Sequence, residues 1–244
     1  MMSYLYETHL HTSPVSKCAG ATAAEALAFY KSLGYAGVFI TNHFIDGNIN
    51  CSRSLSYEEK INFYFSDYEA ALPLAQELGI SVFCGVESSY GGTDFLIYGL
   101  DKAWFLAHPE IESMQRSKLL TLFAENGALI VQAHPYREAS YIDHIRLFPR
   151  HVHGVEIFNS SMKDPTVNAM AEAYAKNYGL LPFAGSDNHT AGKRMLLGGM
   201  LCEVPIADEQ DFVRRMKAGE LTPFRLDREK EAQTVAETVQ RILL

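Results

Sequence analysis

The chain has 244 residues, 48% of them hydrophobic and 20% charged, with a net charge of -8. That length buries a sizeable core in one α/β barrel or in two small domains, and no Pro/Gly/Ser-rich linker or charge block marks a boundary, so a single domain over 1–244 is expected. The acidic balance argues against an extended nucleic-acid-binding surface, which needs clustered Lys and Arg, yet it leaves room for a small phosphorylated ligand in a local basic pocket.

Cys18, Cys51, Cys84 and Cys202 are scattered without a C-x-x-C pair, and the N-terminus lacks the basic and apolar regions of a signal peptide. No run reaches the roughly 20 apolar residues that cross a bilayer. A reduced, cytoplasmic protein away from the membrane is expected, with its oligomeric state open.

Short apolar runs alternate with amphipathic segments, the pattern of repeated β-α units. A strand from Tyr4 to Thr8 runs into "HLH", where His9 and His11, two apart, face the same side. By itself that spacing fits either a metal site or an idle exposed pair. "TAAEALAFYKSLGY" is a helix with a capping box, Thr22 and Glu25, and a stop at Gly34. A strand over 37–41 then delivers Asn42 and His43, and the stretch 44–60, "FIDGNINCSRSLSYEEK", reads as a long loop that shapes a pocket.

"FSDYEAALPLAQELGI" is a helix with Pro73 near a kink, and a strand from Ser81 to Val86 hands over to Glu87. Asp94 precedes a strand over 95–98. After the helix "MQRSKLLTLFAENGA", a strand over 129–133 leads to His134. "HVH" at 151–153 copies the opening spacing but precedes its strand, 154–158, and is expected on the opposite face as a structural or surface pair. The helix "PTVNAMAEAYAKNYGL" and a strand over 181–184 deliver Asp187 and His189, and a strand over 199–204 with helices beyond it fills the C-terminal part to 244.

The polar residues thus cluster just after the strands. In a parallel barrel those ends form one face, so His9, His11, His43, Glu87, His134, Asp187 and His189 are expected to meet in one cleft. Imidazole and carboxylate in that mixture point to zinc, iron or manganese. The G-K pair in "GSDNHTAGKR" does not have P-loop spacing.

"HLH", "TNH", "GVE", "AHP" and "GSDNH", in this order over residues 4–190, resemble the PHP (polymerase and histidinol phosphatase) superfamily. The resemblance implies a distorted (β/α)7 TIM-like barrel, two or three divalent metal ions, and a phosphoesterase acting on a small phosphorylated metabolite or nucleotide by metal-activated hydroxide. Carried over residue by residue, His9, His11, Glu87 and Asp187 form one metal site, Glu87 bridges to a second with His134, and His43 and His189 serve a third.

Three departures from the family pattern matter. Lys17 stands near a place where members often carry His, Asn42 replaces a frequent Asp, and Asp94 takes the place of a His as a ligand of the second metal. The third site is therefore expected to be weak or empty, freeing His43 or His189 to protonate the leaving alkoxide. Lys17, Arg137 and Arg194 are the expected phosphate contacts, and Asn42 and Asn159 the supports behind the ligands. Glu156 reads equally as support or as a buried partner for a cation; Cys18 could face the cleft but reads first as a small buried thiol, and Tyr90, Tyr136 and Phe158 could stack on a base or sugar ring but read by default as core.

Two other function classes stay in view. An amidohydrolase-type barrel also opens with H-x-H and ends with Asp, although it often bridges its metals with a modified Lys where this chain offers Glu87. A metal-binding domain without catalysis is the third reading.

Overall fold

A computed structural model describes residues 3–228 and 239–244. Ten strands form one mixed sheet: β1 (Tyr4–Leu10), β2 (Gly37–Ile40), β3 (Ser81–Tyr90), β4 (Thr93–Tyr98), β5 (Leu129–Ala133), β6 (Gly154–Asn159), β7 (Leu181–Gly185), β8 (Leu196–Cys202), β9 (Thr222–Asp227) and β10 (Val239–Arg241). Their order is β10-β9-β8-β1-β2-β3-β4-β5-β6-β7. The parallel pairs are β1/β2, β2/β3, β5/β6 and β6/β7; all the others are antiparallel.

The expected succession of β-α units is broken in two places. β3 runs four residues past Val86 and returns through Gly91 and Gly92 as an antiparallel hairpin with β4, so Glu87 lies within a strand, opposite Leu96. The C-terminal part also differs from the expected strand and helices: it adds one helix and the antiparallel strands β9 and β10 to β8, while the rest of that expectation, 229–238, lies outside the described residues.

The sheet curls until its end strand β7 approaches β1. Thr8 Oγ1 donates to the Ala184 carbonyl, the Ser186 N–H to Glu7 Oε1 at 2.9 Å, and the His11 N–H to the Asn188 carbonyl at 3.0 Å. A half-barrel results, with these contacts joining its edges at the end that carries the histidines. Gly185 permits the approach, since a Cβ there would sit 2.5 Å from that of His9.

Helices α1 (Ala23–Ser32), α2 (Tyr57–Leu78), α3 (Lys102–Ala107), α4 (Arg116–Glu125) and α5 (Pro165–Tyr178) accompany the strands, and α6 (Glu209–Lys217) follows β8. The Thr22/Glu25 capping box is present, and Gly179 ends α5 in the left-handed conformation. α2 begins at Tyr57, inside the stretch expected to be loop, because Ser56 and Glu59 form a second capping box; the helix then continues through Pro73.

Leu5, Leu10, Val38 and Ile40 pack outward against Leu27 and Tyr30 of α1. On the concave side Tyr6, Phe39, Phe83, Tyr98 and Phe183 enclose Phe212, Val213 and Met216 of α6; the Phe39 and Phe212 rings are 4.3 Å apart. No helix among the described residues is long and apolar enough to cross a membrane.

Candidate metal centre

β1 aims the first two imidazoles by an irregularity. Leu5 and Leu10 face the same outer layer although strict alternation would put them on opposite sides, because the register with β2 shifts between Glu7 and Leu10. The inserted residue turns His9 and His11 inward, as bulges beside active sites do. Glu7, which the sequence reading passed over, fixes this turn: its Oε1 accepts the N–H groups of Thr8 and His9, and its Oε2 the Tyr30 hydroxyl at 2.7 Å. The only advance signal was an acidic residue in the middle of an apolar strand.

His9 Nε2 and His11 Nε2 lie 3.2 Å apart. Glu87 stands between the imidazoles: Oε1 is 3.1 Å from His9 Nε2 and 3.3 Å from His134 Nε2, while Oε2 is 2.7 Å from His43 Nδ1 and 3.3 Å from His11 Nε2. Asp187 Oδ1 is 3.5 Å from His11 Nε2 and 3.7 Å from His9 Nε2. Three ligand groups emerge, each with its donor atoms within 4.8 Å of one another: His9, Glu87 and His134; His9, His11 and Asp187; and His11, His43 and His189.

Backbone strain marks two of these positions. His134 and Asp187 hold φ of 26° and 51°, a region that side-chain-bearing residues seldom occupy. Such strain persists where the surroundings over-determine it, commonly at functional sites.

Fixed partners set the ring orientations. His9 Nδ1 meets Glu156 Oε1 at 2.8 Å, and Glu156 Oε2 accepts the His134 N–H and the Asn159 side-chain amide, each at 2.9 Å. His11 Nδ1 meets Ser16 Oγ at 3.0 Å, and Ser16 in turn donates to Asn42 Oδ1. Asn42 donates to Thr12 Oγ1 and to Asp67, so it acts on His11 through a hydroxyl.

The donor set fits divalent cations. Five imidazoles converge on two carboxylates, and His43 Nδ1, Glu87 Oε2 and His134 Nε2 are buried without a hydrogen-bond partner. Orphaned polar atoms are rare in folded proteins; here they point at one another, as donors around a shared ion do.

The PHP-associated family matches residues 165–221, from α5 through Asp187 and His189 to just beyond α6. This match covers less than half of the chain and supports, beside the order of the site motifs, a relation to the PHP superfamily. Solved structures align with this chain over most of its length. A two-domain Bacteroides vulgatus protein, assigned a PHP-like metal-dependent phosphoesterase, matches with TM-score 0.68 and 14% identity over 97% of this chain and 70% of its own. A Bifidobacterium adolescentis protein assigned as a metal-dependent phosphoesterase matches with TM-score 0.53 and 13% identity over 77% and 88%. A Chromobacterium violaceum amidohydrolase, with sulfate bound and no metal, matches with TM-score 0.55 and 14% identity over 93% and 99%. No curated protein sequence matches the chain.

The electrostatics of the site follow from crowding. Burial would lower His43, but Glu87 and Cys18 overcome it and raise it to about 10. Burial, assisted by His43 and His189, holds His11 well below the usual range. Burial opposes ionisation of Glu87, yet His43, His11 and His9 together keep its carboxyl well below the ordinary value. Burial and the Glu87 charge raise Asp94.

The remaining expected residues divide. Asp94 is buried 3.9 Å from His134 Nε2, with Oδ2 bound at 2.9 Å by Arg137; it reaches this end of the sheet because β4 runs antiparallel, which puts its first residues there. Arg137 lines a cleft of about 450 Å³ together with His43, His189 and Asp187. Arg194 donates to the Asp187 carbonyl at 3.3 Å and braces that residue's backbone. Lys17 is exposed and faces an adjoining cavity with Arg53 and Lys60.

Cys18, read from the sequence as a buried thiol, is instead exposed and lines the cleft. Burial of the sulfur opposes ionisation, but hydrogen bonding to His189 and His43 outweighs it and takes the thiol down to about 6. Tyr141, another cleft residue the sequence did not single out, lies beside Arg137, with 5.9 Å from guanidinium to ring centre. "HVH" stands apart from the site, His153 Nδ1 accepting the Ile130 N–H at 3.0 Å.

Proposed function

We propose that this chain is a metal-dependent hydrolase whose reaction is cleavage of a phosphate ester of a small metabolite or nucleotide. The observation that carries the reading is Glu87, a buried carboxylate with one oxygen toward His9 and His134 and the other toward His43 and His11, the position of a bridging ligand between two cations. In this reading the curled sheet is a distorted (β/α)7 barrel within a single domain. His9, His11, Glu87 and Asp187 hold one divalent ion, and Glu87, His134 and Asp94 a second. Zinc, iron and manganese all suit these donors. Ions bound there supply Lewis acidity and an activated water.

The chain's own residues do the rest. Glu156 fixes the His9 ring, with Asn159 held against Glu156, and Ser16 and Asn42 fix that of His11. Arg137, anchored on Asp94 and facing the cleft, presents the planar fork that matches phosphate oxygens. Arg194 keeps Asp187 in place, and Lys17, in the adjoining cavity, meets the part of the substrate beyond the ester. His43 and His189 are a third ligand pair; with no ion between them, His43 is protonated at neutral pH and positioned to give its proton to the leaving alkoxide.

Metal content per chain, measured with phosphate release from a panel of phosphomonoesters and phosphodiesters, tests this reading. Two or more ions with metal-dependent release support it; a protein that binds no metal under any supplementation overturns it. The Chromobacterium neighbour favours amide hydrolysis as a second reading, and amide turnover without phosphate release would decide for it.

A further inference from the structure

Asp67, on α2, is a carboxylate outside the ligand groups and only 6% exposed. Its Oδ2 accepts three hydrogen bonds, from the Thr12 hydroxyl at 2.8 Å, the Val15 N–H at 3.2 Å and the Asn42 side-chain amide at 3.3 Å. A carboxylate buried in this way costs free energy unless donors surround it. All three donors belong to the segments that carry the ligands, since Thr12 follows His11 and Asn42 precedes His43.

The chemistry of the partners gives each hydrogen a direction. Asn42 Oδ1 accepts the Thr12 N–H at 2.7 Å, so the amide nitrogen is the atom that faces Asp67 and Thr12 Oγ1. The Thr12 hydroxyl gives its one hydrogen to Asp67 and accepts from Asn42 at 2.9 Å. Ser16 Oγ lies 2.8 Å from Asn42 Oδ1, which has no hydrogen to give, so the serine donates there. With that hydrogen committed, Ser16 Oγ accepts from the His43 N–H and from His11 Nδ1, each at 3.0 Å. Nδ1 therefore carries the hydrogen of the neutral His11 ring. Nε2, 3.3 Å from Glu87 and 3.5 Å from Asp187, keeps its lone pair.

We propose that Asp67 is a positioning residue for the metal centre, the fixed acceptor that orients Thr12, Asn42 and Ser16 in one sense and so holds His11 in the tautomer whose Nε2 can ligate a cation. Hydroxyls and amides donate as well as accept, whereas an ionised carboxylate only accepts. Two groups that cannot reverse thus grip the Asn42 amide, the Thr12 N–H on its oxygen and Asp67 on its nitrogen. With Asp67 gone the amide can turn over, present its nitrogen to Ser16 and drive the serine hydrogen onto His11 Nδ1. Nε2 would then carry the ring hydrogen and could not ligate. The inference rests on the reading of the histidine cluster as a metal centre, but the tautomer is read without metal, so the two fail separately.

The test uses the full chain, stripped of metal and labelled at histidine with the heavy nitrogen isotope. Its imidazoles are read by a long-range proton–nitrogen correlation spectrum, with His11 assigned by its absence from His11→Gln. His11 is expected with hydrogen on Nδ1. In Asp67→Asn, whose side chain can donate as well as accept, the form with hydrogen on Nε2 should join it, and the affinity for zinc, read by competition with a chromophoric chelator, should fall about 10-fold. Ser16→Ala, which removes the last link, should give the same mixture. Hydrogen on His11 Nε2 in the unsubstituted chain, or a tautomer or zinc affinity unmoved by Asp67→Asn, overturns the role of Asp67 and leaves the metal centre standing. A chain that shows the expected tautomers but binds no zinc overturns the metal centre instead.

Discussion

Glu156 joins two ligands through its two oxygens: Oε1 meets His9 Nδ1 at 2.8 Å, and Oε2 accepts the backbone N–H of His134, whose φ is 26°. One buried carboxylate thereby sets the orientation of one imidazole and holds the strained backbone of another. Glu156→Gln keeps the shape but removes the charge behind His9. Metal affinity should fall about 10- to 100-fold, as read by competition with a chromophoric chelator; unchanged affinity would show that Glu156 is packing alone.

Gly185 leaves no room for a side chain. A Cβ there would lie 2.5 Å from the His9 Cβ and 2.8 Å from Glu156 Oε1. Gly185→Ala should destabilise the chain by about 1–3 kcal/mol, the usual cost of overpacking, and weaken metal binding with it. Denaturant unfolding that matches the unsubstituted protein would contradict the close approach of β7 to β1.

Metal removal should lower stability. A cation bound at 100 times its dissociation constant adds about 2.7 kcal/mol, and here it also relieves the crowding of five imidazoles. Thermal unfolding with and without a chelator measures this, and an identical midpoint in both would argue that the cluster holds no ion.

Arg137 binds Asp94 at 2.9 Å and faces the cleft. Arg137→Met removes a charged hydrogen-bond donor worth about 1.5–3 kcal/mol, so kcat/KM for a phosphoester should drop roughly 10- to 150-fold by the same relation. Unaltered kinetics would move the phosphate contact to another cation.

His153, in the second H-x-H pair, carries a pH dependence of its own. Burial, assisted by the Lys217 charge, lowers it below the ordinary value of 6.5, so the folded chain resists a proton that the unfolded chain accepts. Its contribution is fully present above pH 6.5 and is lost as pH falls through 6.5 toward the folded value. Unfolding free energies of the protein and of His153→Gln, compared across that range, should converge as the pH drops. A difference constant with pH would show that His153 titrates alike in both states.

Short-range patterns carried much of this in the sequence alone. "HLH" paired two imidazoles because the strand period is two, the Thr22/Glu25 box and Gly179 placed helix ends, and "HVH" was set aside because it precedes its strand rather than follows it. What the linear pattern lacked was direction and parity. Whether β4 returns antiparallel, which brings Asp94 to the metal end, depends on strand pairing across the sheet, and the bulge that turns His9 and His11 inward exists only against β2. Lys17 and Cys18 are adjacent in the chain, yet the turn at residues 12–19 sends one to each side. Backbone hydrogen bonds to residues distant in sequence decide such orientations, and those partners are chosen only when the sheet curls and β7 meets β1.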